Sequence, residues 1–551
     1  MSIARLFIVF IFLIFTNAAG YAQVIDSGTL EKAASLIDIQ LTAAEKDSAL
    51  GAITENAKFY KKLHSYNLPN SQPYPFAFTP ALPGHPIPVQ QAVVRFNLPQ
   101  QVAMPANKND LAFYSLPQLA ALLKSKKISS VALTTFFLDR LKKWGDTLAC
   151  VITLTEDLAM AQARQADADF AKGIYKGPLQ GIPYGLKDLF AVKGYKTTWG
   201  SVPYKDQVID EDAFVYTQLR KAGAVLCAKL SMGELAFADR WFGGRTKNPW
   251  NTQLGSSGSS AGSAAATVAG LLPFAIGTET YGSIISPSHI CGATGLRPTF
   301  GSVSRSGAMV LSWSLDKAGP ICRSAEDAAI VFYYLKGTDG KDASAVERAF
   351  NYTGNAQWKK LRIAYAANYF ATLPKDAPQW EVIRTLEKLG AKISATNFPD
   401  SAAYPFNMIG TVINAESAAA FDPLTRSELD NLITRQDKNF WPNSFRVARF
   451  IPAVEYINVN RHRYSLMQAM QQFMQQYDVV IVPSFSGSQL PITNLTGHPA
   501  VCMPIAMTAD GRPNSITMVG NLYDEATILA VAKAFQDATR YNKVHPPAFS
   551  K

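Results

Sequence analysis

Residues 255–298 read GSSGSSAGSAAATVAGLLPFAIGTETYGSIISPSHICGATGLRP, and this stretch decides the fold of the chain. From residue 255 to residue 263 it is almost entirely glycine and serine, so it contributes backbone N–H groups and hydroxyls rather than apolar bulk. Residues 261–269 then predict a helix of small side chains, and residues 273–277 predict a short apolar strand. A flexible linker would not continue into an apolar helix and strand. We therefore expect a structured loop whose N–H groups favour negative charge.

A single lysine stands in an apolar segment upstream of this stretch, where residues 177–190 read GPLQGIPYGLKDLF. A charged lysine is costly to bury, so Lys187 either reaches solvent, pairs with Asp188 or is neutral. A neutral lysine is a competent general base. The segment is therefore a candidate source of a catalytic base.

Three catalytic motifs compete for the Gly/Ser-rich run. Residues 258–262 fit G-x-S-x-G with Ser260 at its centre, the nucleophile elbow of α/β-hydrolases, which also needs an acid and a histidine downstream. A phosphate-binding loop is a second possibility, but no G-x-x-x-x-G-K-[ST] sequence follows. The third interpretation combines the serines with Lys187 and uses more of the residues.

Three successive runs resemble the amidase signature family, whose serine hydrolases use a Ser-Ser-Lys triad and no histidine. Residues 257–263 match the family's Gly-Gly-Ser-Ser-Gly-Gly-Ser run, and residues 277–285 match its Gly-Thr-Asp-x-Gly-Gly-Ser-Ile-Arg run. Residues 291–299 match its Cys-Gly-x-x-Gly-Leu-Lys-Pro-Thr run.

The resemblance implies a role for each triad residue. It implies Ser283 as the nucleophile, Ser259 as the bridging serine held on a cis peptide, and Lys187 as the base. It also implies an oxyanion hole lined by the backbone N–H groups of Thr280, Tyr281, Gly282 and Ser283.

Ala261, Glu279, Tyr281 and Ile285 are among the positions that depart from the family runs. Tyr281 places a side chain where the family leaves the backbone bare. If the N–H group there were turned away, the loss of one oxyanion donor would cost roughly a hundredfold in rate.

Ile285 stands where the family commonly has an arginine. An aliphatic side chain cannot bind a carboxylate as arginine does. We therefore predict a substrate pocket at Ile285 that prefers neutral, largely apolar acyl groups. Two alternatives stay open: the family arginine is structural, or Arg461 or Arg463 supplies a charge from elsewhere.

Alternating helix and strand patterns along the rest of the chain predict an α/β fold. The resemblance adds a mixed central sheet covered by helices, the amidase signature fold. We predict three segments: a signal peptide at residues 1–22, a helical and proline-rich N-terminal extension at 23–107, and a catalytic domain at 108–551. The extension is expected to pack on the catalytic domain.

Composition narrows the function further. The chain has 551 residues and 53 basic against 42 acidic side chains, a net charge of +11 without long blocks of like charge. No basic motif is interleaved with aromatic residues, so no nucleic-acid partner is expected. The five scattered cysteines predict buried thiols, with or without one disulfide. Neither C-x-x-C nor H-E-x-x-H occurs, and neither a metal nor a cofactor is expected.

These observations predict a secreted or periplasmic amidase that hydrolyses a small-molecule carboxamide through an acyl-enzyme. The alternatives are a serine esterase of the α/β-hydrolase kind and a catalytically inactive binding protein with the amidase fold, for which Tyr281 is the only hint. Transamidating family members act with partner subunits on charged tRNA, which an exported chain would not meet. The oligomeric state stays open.

Export gives a first testable prediction. Arg5, the apolar run at residues 6–15 and the small residues before Gln23 form the pattern of a cleavable signal, and the apolar run is too short for a membrane anchor. The secreted mature chain should begin at Gln23, after cleavage behind Ala22. N-terminal sequencing of the exported protein checks this, and a cytosolic protein that retains Met1 contradicts it.

Overall fold

The computed structural model describes residues 25–65, 69–72, 76–85, 87, 89–354, 357–400 and 407–550. Backbone contacts divide the chain into two compact units, Met1–Asn67 and Leu68–Lys551. The predicted signal peptide, residues 1–22, lies outside the described residues. The domain boundary predicted at residue 107 stays a prediction.

The described part of the first unit forms the helices α1 (Ser27–Leu36) and α2 (Ala43–His64). Helix α2 begins where the sequence predicts, because Thr42 and Glu45 form a reciprocal capping box. The Glu45 N–H donates to Thr42 Oγ1 at 3.3 Å, and the Thr42 N–H donates to Glu45 Oε2 at 2.7 Å. Two of the N–H groups that a helix start leaves unpaired are thereby satisfied.

The helices of the second unit are α3 (Leu116–Lys124), α4 (Ser130–Leu148), α5 (Glu156–Ala171), α6 (Phe214–Lys221), α7 (Ala261–Val268), α8 (Ile285–Cys291), α9 (Ala325–Leu335), α10 (Ala367–Phe370), α11 (Gln379–Lys388), α12 (Met408–Ala420), α13 (Asp422–Arg426), α14 (Trp441–Val447), α15 (Ala453–Met474), α16 (Gln489–Thr496) and α17 (Glu525–Thr539). Its strands are β1 (Val151–Leu154), β2 (Pro183–Lys187), β3 (Val225–Leu230), β4 (Arg240–Trp241), β5 (Gly244–Arg245), β6 (Lys247–Asn248), β7 (Asn251–Gly255), β8 (Ala275–Glu279), β9 (Thr294–Arg297), β10 (Lys317–Cys322), β11 (Ile363–Ala366), β12 (Ile393–Thr396), β13 (Val479–Pro483), β14 (Ala500–Met507) and β15 (Pro513–Gly520).

Eleven of these strands form one sheet in the order β1-β3-β2-β8-β10-β9-β14-β15-β13-β11-β12. The pairs β3–β2, β2–β8, β13–β11 and β11–β12 are parallel, whereas the strands between β8 and β13 pair antiparallel. The predicted α/β fold with a mixed central sheet is therefore confirmed.

Both faces of the sheet are buried. In β13, Val480 and Val482 belong to one hydrophobic cluster, while Val479 and Ile481 belong to another. Successive side chains of a strand point to opposite faces, so each cluster covers one face. Burying one such side chain stabilises the fold by roughly 1.5–3 kcal/mol. The continuous apolar sequence of β13 follows from this two-sided burial.

The fold places β2 and β8 side by side with the same direction. Gly185 and Leu186 of β2 pair with Ala275 and Ile276 of β8. Both strands therefore end at the same edge of the sheet. Lys187 is the last residue of β2, so it lies beside the segment that leaves β8, and sites in α/β proteins commonly form at such carboxyl edges.

Part of the predicted extension packs within the second unit. Asn70 exchanges two hydrogen bonds with the backbone of Val310, at 2.8 and 2.9 Å. The ring of Phe78 lies 5.0 Å from that of Phe300. The described part of the proline-rich segment is thus anchored to the body that carries the sheet.

All five cysteines are buried with free thiols, as their apolar surroundings predict. In the ranges that the structure describes, no helix is both long enough and apolar enough to cross a membrane.

Candidate active site

Lys187 is the centre of a cluster of hydroxyl groups. Its side chain is completely buried. The Nζ atom lies 2.8 Å from Ser259 Oγ, 2.8 Å from Thr278 Oγ1 and 3.1 Å from Ser260 Oγ. The structure therefore brings together two residues of the triad that the resemblance implies, Lys187 and Ser259.

Lys187 does not pair with its neighbour Asp188. The carboxylate of Asp188 lies on the other side of the strand, where it meets Lys229 Nζ at 2.8 Å and accepts a hydrogen bond from the Thr198 N–H at 2.8 Å. This follows from the alternation of side chains along β2. Across the described part of the chain, no carboxylate forms an ion pair with Lys187.

Burial lowers the pKa of Lys187 to about 7, although the negative charges of Asp316 and Glu279 oppose this shift. Removal from water disfavours the ammonium ion more than these more distant carboxylates favour it. Near neutral pH the amine is therefore free of its proton in a large fraction of molecules, and it can accept one.

The run that carries the two serines is tightly constrained. The peptide bond between Gly258 and Ser259 is cis. A Cβ atom on Gly258 would lie 1.8 Å from the carbonyl oxygen of Ala238, so no larger residue fits there. The Ser260 N–H donates to the carbonyl oxygen of Ser283 at 3.2 Å, which ties the two serine-containing runs together. No hydrogen bond joins the Oγ atoms of Ser259 and Ser283 directly among those that the described residues form.

The segment Thr280 to Ser283 presents unengaged N–H groups. None of its four backbone N–H groups donates to a residue that the structure describes. Gly282 has a φ of +89°, a left-handed conformation that glycine adopts without strain. Tyr281 lies outside this left-handed region, and its side chain is 44% exposed. The backbone at position 281 is therefore not in the conformation that favours glycine.

Carboxylates hold both ends of this segment. At its start, Thr280 Oγ1 donates to Asp316 Oδ1 at 2.5 Å. At its end, the N–H groups of Ile284 and Ile285 both donate to Glu279 Oε2 at 2.9 Å. The four N–H groups between these anchors are consequently held in place while they remain free to bind an anion.

Glu279 is itself paired inside the protein. Its Oε1 atom accepts from Arg297 Nη1 at 2.9 Å and from Asn494 Nδ2 at 3.0 Å, and both members of the ion pair are completely buried. Burial raises the pKa of Glu279, but the charges of Arg297 and Lys317 outweigh it and bring the pKa to about 2. The family runs have aspartate and lysine at the positions of Glu279 and Arg297, so two departures meet in one ion pair.

The predicted pocket role of Ile285 is wrong for this structure. Ile285 is completely buried in the hydrophobic cluster that also contains Leu315, Ile492 and Val480. It is the first residue of α8, and the helix turns its side chain into the core. Ser286, one residue later, lines the cleft instead. Sequence spacing could not reveal this direction.

A cleft of about 530 Å³ opens at Ser283. The aromatic side chains that line it are Phe237, Tyr281, Phe440, Trp441 and Phe485. Two of these side chains, Phe440 and Trp441, follow one another at the start of α14. They are buried and also line the cleft.

Several site residues were not predicted. Thr278 contacts Lys187, and its place within the second run was the available signal. Ser260 was considered only as the elbow nucleophile, and its contact with Lys187 was not predicted. Phe237 and Phe485 lie outside every run, and no sequence pattern indicated them.

The elbow interpretation with Ser260 as nucleophile is not supported. Ser260 Oγ donates to the Thr278 carbonyl and accepts from the Thr278 N–H, both at 3.0 Å. His289 and His498 contact Ser515 and Thr496 instead, and no described histidine contacts Ser260. In addition, the preceding strand β7 pairs only with β6, outside the central sheet.

Among the described side chains, no group of three or more His, Cys, Asp or Glu residues could hold a metal ion.

Comparison with known proteins agrees with this geometry. A family model described as Amidase matches residues 132–492. A glutamyl-tRNA(Gln) amidotransferase subunit of Coxiella burnetii (strain Dugway 5J108-111) is 32% identical over 478 residues, which cover 78% of this chain and 99% of that protein. The subunit of the same name from Thioalkalivibrio sulfidiphilus is 30% identical over 483 residues, with coverages of 79% and 99%.

Solved structures show the same architecture. The native peptide amidase from Stenotrophomonas maltophilia superposes with a TM-score of 0.70 at 26% identity, covering 80% of this chain and 100% of that chain. A bacterial aryl acylamidase of the amidase signature enzymes gives a TM-score of 0.69 at 21% identity, with coverages of 78% and 97%, which supports the fold alone.

The buried pair of Glu279 and Arg297 yields a stability prediction. Glu279→Gln removes the negative charge and leaves Arg297 buried without a counter-charge, which should lower the free energy of unfolding by about 3–5 kcal/mol. Chemical denaturation measures this change. The matched control is Glu381→Gln, whose partner Arg384 is exposed, and it should change the free energy by less than about 0.5 kcal/mol. Equal effects of the two substitutions contradict the prediction.

Proposed function

Because this chain belongs to the amidase family, whose members act on carbon–nitrogen bonds of amides, we propose that it hydrolyses a carboxamide through an acyl-enzyme on Ser283. One observation carries the proposal. Lys187, completely buried and without an ion-pair partner among the described residues, lies 2.8 Å from Ser259 Oγ. A neutral amine beside a serine hydroxyl, next to four unengaged N–H groups, is an arrangement that acyl transfer requires.

Three hydroxyl oxygen atoms lie within 3.1 Å of Lys187 Nζ, with the Thr278 carbonyl oxygen farther away at 3.5 Å, and the hydroxyls suit a neutral amine. Such an amine has one lone pair and two N–H bonds. It can accept a hydrogen bond from the Ser259 hydroxyl while it donates to Ser260 Oγ and Thr278 Oγ1, at distances of 3.1 and 2.8 Å. An ammonium ion would have no lone pair for Ser259. The contacts therefore orient the amine as a base toward Ser259.

The reaction begins when Ser283 Oγ attacks the amide carbonyl carbon. Ser259 takes the proton of Ser283 as it passes its own proton to Lys187, and the carbonyl oxygen becomes an oxyanion that the N–H groups of residues 280–283 stabilise. The intermediate then collapses: the carbon–nitrogen bond breaks, and Ser259 returns a proton to the leaving amine while Lys187 restores that of Ser259.

Water completes the cycle by the same relay. It attacks the acyl group on Ser283, loses a proton through Ser259 to Lys187, and releases the carboxylic acid as Ser283 regains its proton. The relay needs Ser259 and Ser283 within hydrogen-bond reach, and such catalytic contacts commonly tighten when substrate binds. No step requires a metal or a cofactor.

The proposal includes action on a small amide outside the cytosol. The amidotransferase relatives are subunits of enzymes named for glutamyl-tRNA(Gln), whereas the signal peptide predicted at residues 1–22 would separate this chain from charged tRNA. Esterase activity is a natural accompaniment, since a serine activated to cleave amides also cleaves esters. The inactive-protein alternative rested on Tyr281, and the position of this residue outside the left-handed region gives that alternative no further support.

The nucleophile is tested by covalent labelling. Ser283→Ala should abolish both turnover and labelling by a fluorophosphonate, as the attacking oxygen is removed. Ser260→Ala should still be labelled, although the Thr278 N–H loses its acceptor and the free energy of unfolding falls by about 1–3 kcal/mol. Mass spectrometry of the labelled peptides identifies the site. Labelling that survives in the Ser283 variant and disappears in the Ser260 variant would identify Ser260 as the nucleophile and support the elbow interpretation.

The base is tested by pH. Lys187 must be neutral to accept a proton, so kcat/KM should fall as pH drops below about 7 and rise to a plateau above it. Lys187→Ala should lower kcat/KM by on the order of a hundredfold or more and remove this acid limb. Added small primary amines should partly restore the activity of that variant. An unchanged acid limb in Lys187→Ala assigns the titration to another group.

A further inference from the structure

The cleft at Ser283 carries no charge. Among the described residues that line it, none is Asp, Glu, Lys, Arg or His. Its polar groups are hydroxyls and the side-chain amides of Asn414 and Asn439. This is unusual in a chain with 95 charged side chains (53 basic and 42 acidic), and it means that a charged substrate group would lose water without gaining a counter-charge.

The apolar part of the cleft is aromatic and partly open. Tyr281, Phe485 and Phe237 are 44%, 50% and 39% exposed, so their rings are available to a ligand. The ring of Phe237 lies 5.1 Å from that of Phe440 and 5.4 Å from that of Trp441. These contacts join Phe237, Phe440 and Trp441 into one aromatic surface, and Tyr281 and Phe485 line the same cleft. Such rings pack favourably against a further aromatic or bulky apolar group.

A neighbouring cavity of about 270 Å³ differs from the cleft because charged side chains line it. It meets the cleft at Ala236, Thr280 and Leu311, which line both. The charged side chains in its lining are Glu211, Arg305, Asp316, Lys317, Lys341 and Asp342. Of these, Arg305 and Asp342 pair with each other at 2.7 Å. The charged side chains of this region therefore line the neighbouring cavity, and none of them lines the cleft.

We propose that the cleft selects uncharged amides that carry an aromatic or bulky apolar group, with Phe485 and Tyr281 as the side chains that contact this group. The inference rests on the proposed function and names its substrate class. Ile285 has no part in this selectivity, because it is buried and does not line the cleft. A volume of about 530 Å³ lies within the range that accommodates a ligand of this kind.

The test measures how fast matched fluorophosphonates inactivate the purified protein. One probe carries a phenylbutyl chain, two others carry the same chain with a para-carboxylate or a para-aminomethyl group on the ring, and the last carries only a propyl chain. We expect the phenylbutyl probe to react at least about tenfold faster than each of the other three, since tenfold corresponds to about 1.4 kcal/mol. A charged probe or the propyl probe that reacts as fast as the phenylbutyl probe overturns the inference.

Substitutions test whether Phe485 causes the preference for the phenylbutyl probe. Phe485→Ala should reduce the advantage of the phenylbutyl over the propyl probe by about fivefold or more, and Phe485→Leu should retain part of it because an apolar surface remains. Phe450 is a matched control, being 67% exposed and not part of the cleft lining. Phe450→Ala should leave the ratio unchanged. Equal ratios in the Phe485→Ala and Phe450→Ala variants overturn the assignment of Phe485.

The two proposals fail in different ways. If no probe labels Ser283, the proposed function itself fails. If every probe labels Ser283 at similar rates, the acyl-transfer chemistry stands and only the substrate class is wrong. Thermal unfolding of each variant shows whether a lost preference reflects the cleft or a damaged fold.

Discussion

The burial of Lys187 without a carboxylate partner is the constraint on which the rest of the site depends. A lysine with a close counter-charge would remain an ammonium ion, and it could not accept a proton from Ser259. The carboxylate nearest in sequence, Asp188, points to the opposite side of β2, where Lys229 neutralises it. The two-residue period of a strand therefore separates a catalytic amine from a structural ion pair. Desolvation then brings the pKa of Lys187 to about 7.

The same site keeps Glu279 ionised. Its pKa of about 2 follows from the charges of Arg297 and Lys317, which overcome the effect of burial. One small region thus holds a base that can be neutral and a carboxylate that stays charged, because the two environments act in opposite directions. Glu279 does no proton transfer in this scheme. Its charge orders the backbone just after Ser283, and Asp316 orders the backbone before it.

Two departures from the family pattern differ in the direction of their side chains. Tyr281 lines the cleft from a backbone outside the left-handed region, so it adds an aromatic surface there. Ile285, only four residues later, turns into the core as α8 begins. The cleft is therefore neutral because uncharged side chains such as Phe237 and Phe485 line it. At the position where the family commonly has an arginine, Ile285 packs in the core.

Features that depend on residues close together in the chain could be predicted from the sequence alone. The order of three Gly-rich runs identified the family and the candidate triad, and local hydrogen bonding set helix starts such as the capping box of Ser115 and Gln118. Only the tertiary structure decided which group pairs with Asp188, where Ile285 points and which side chains line the cleft. Phe237, Phe440 and Phe485 come from separate parts of the chain, and hydrophobic periodicity predicts that such residues are buried without predicting what they are buried against.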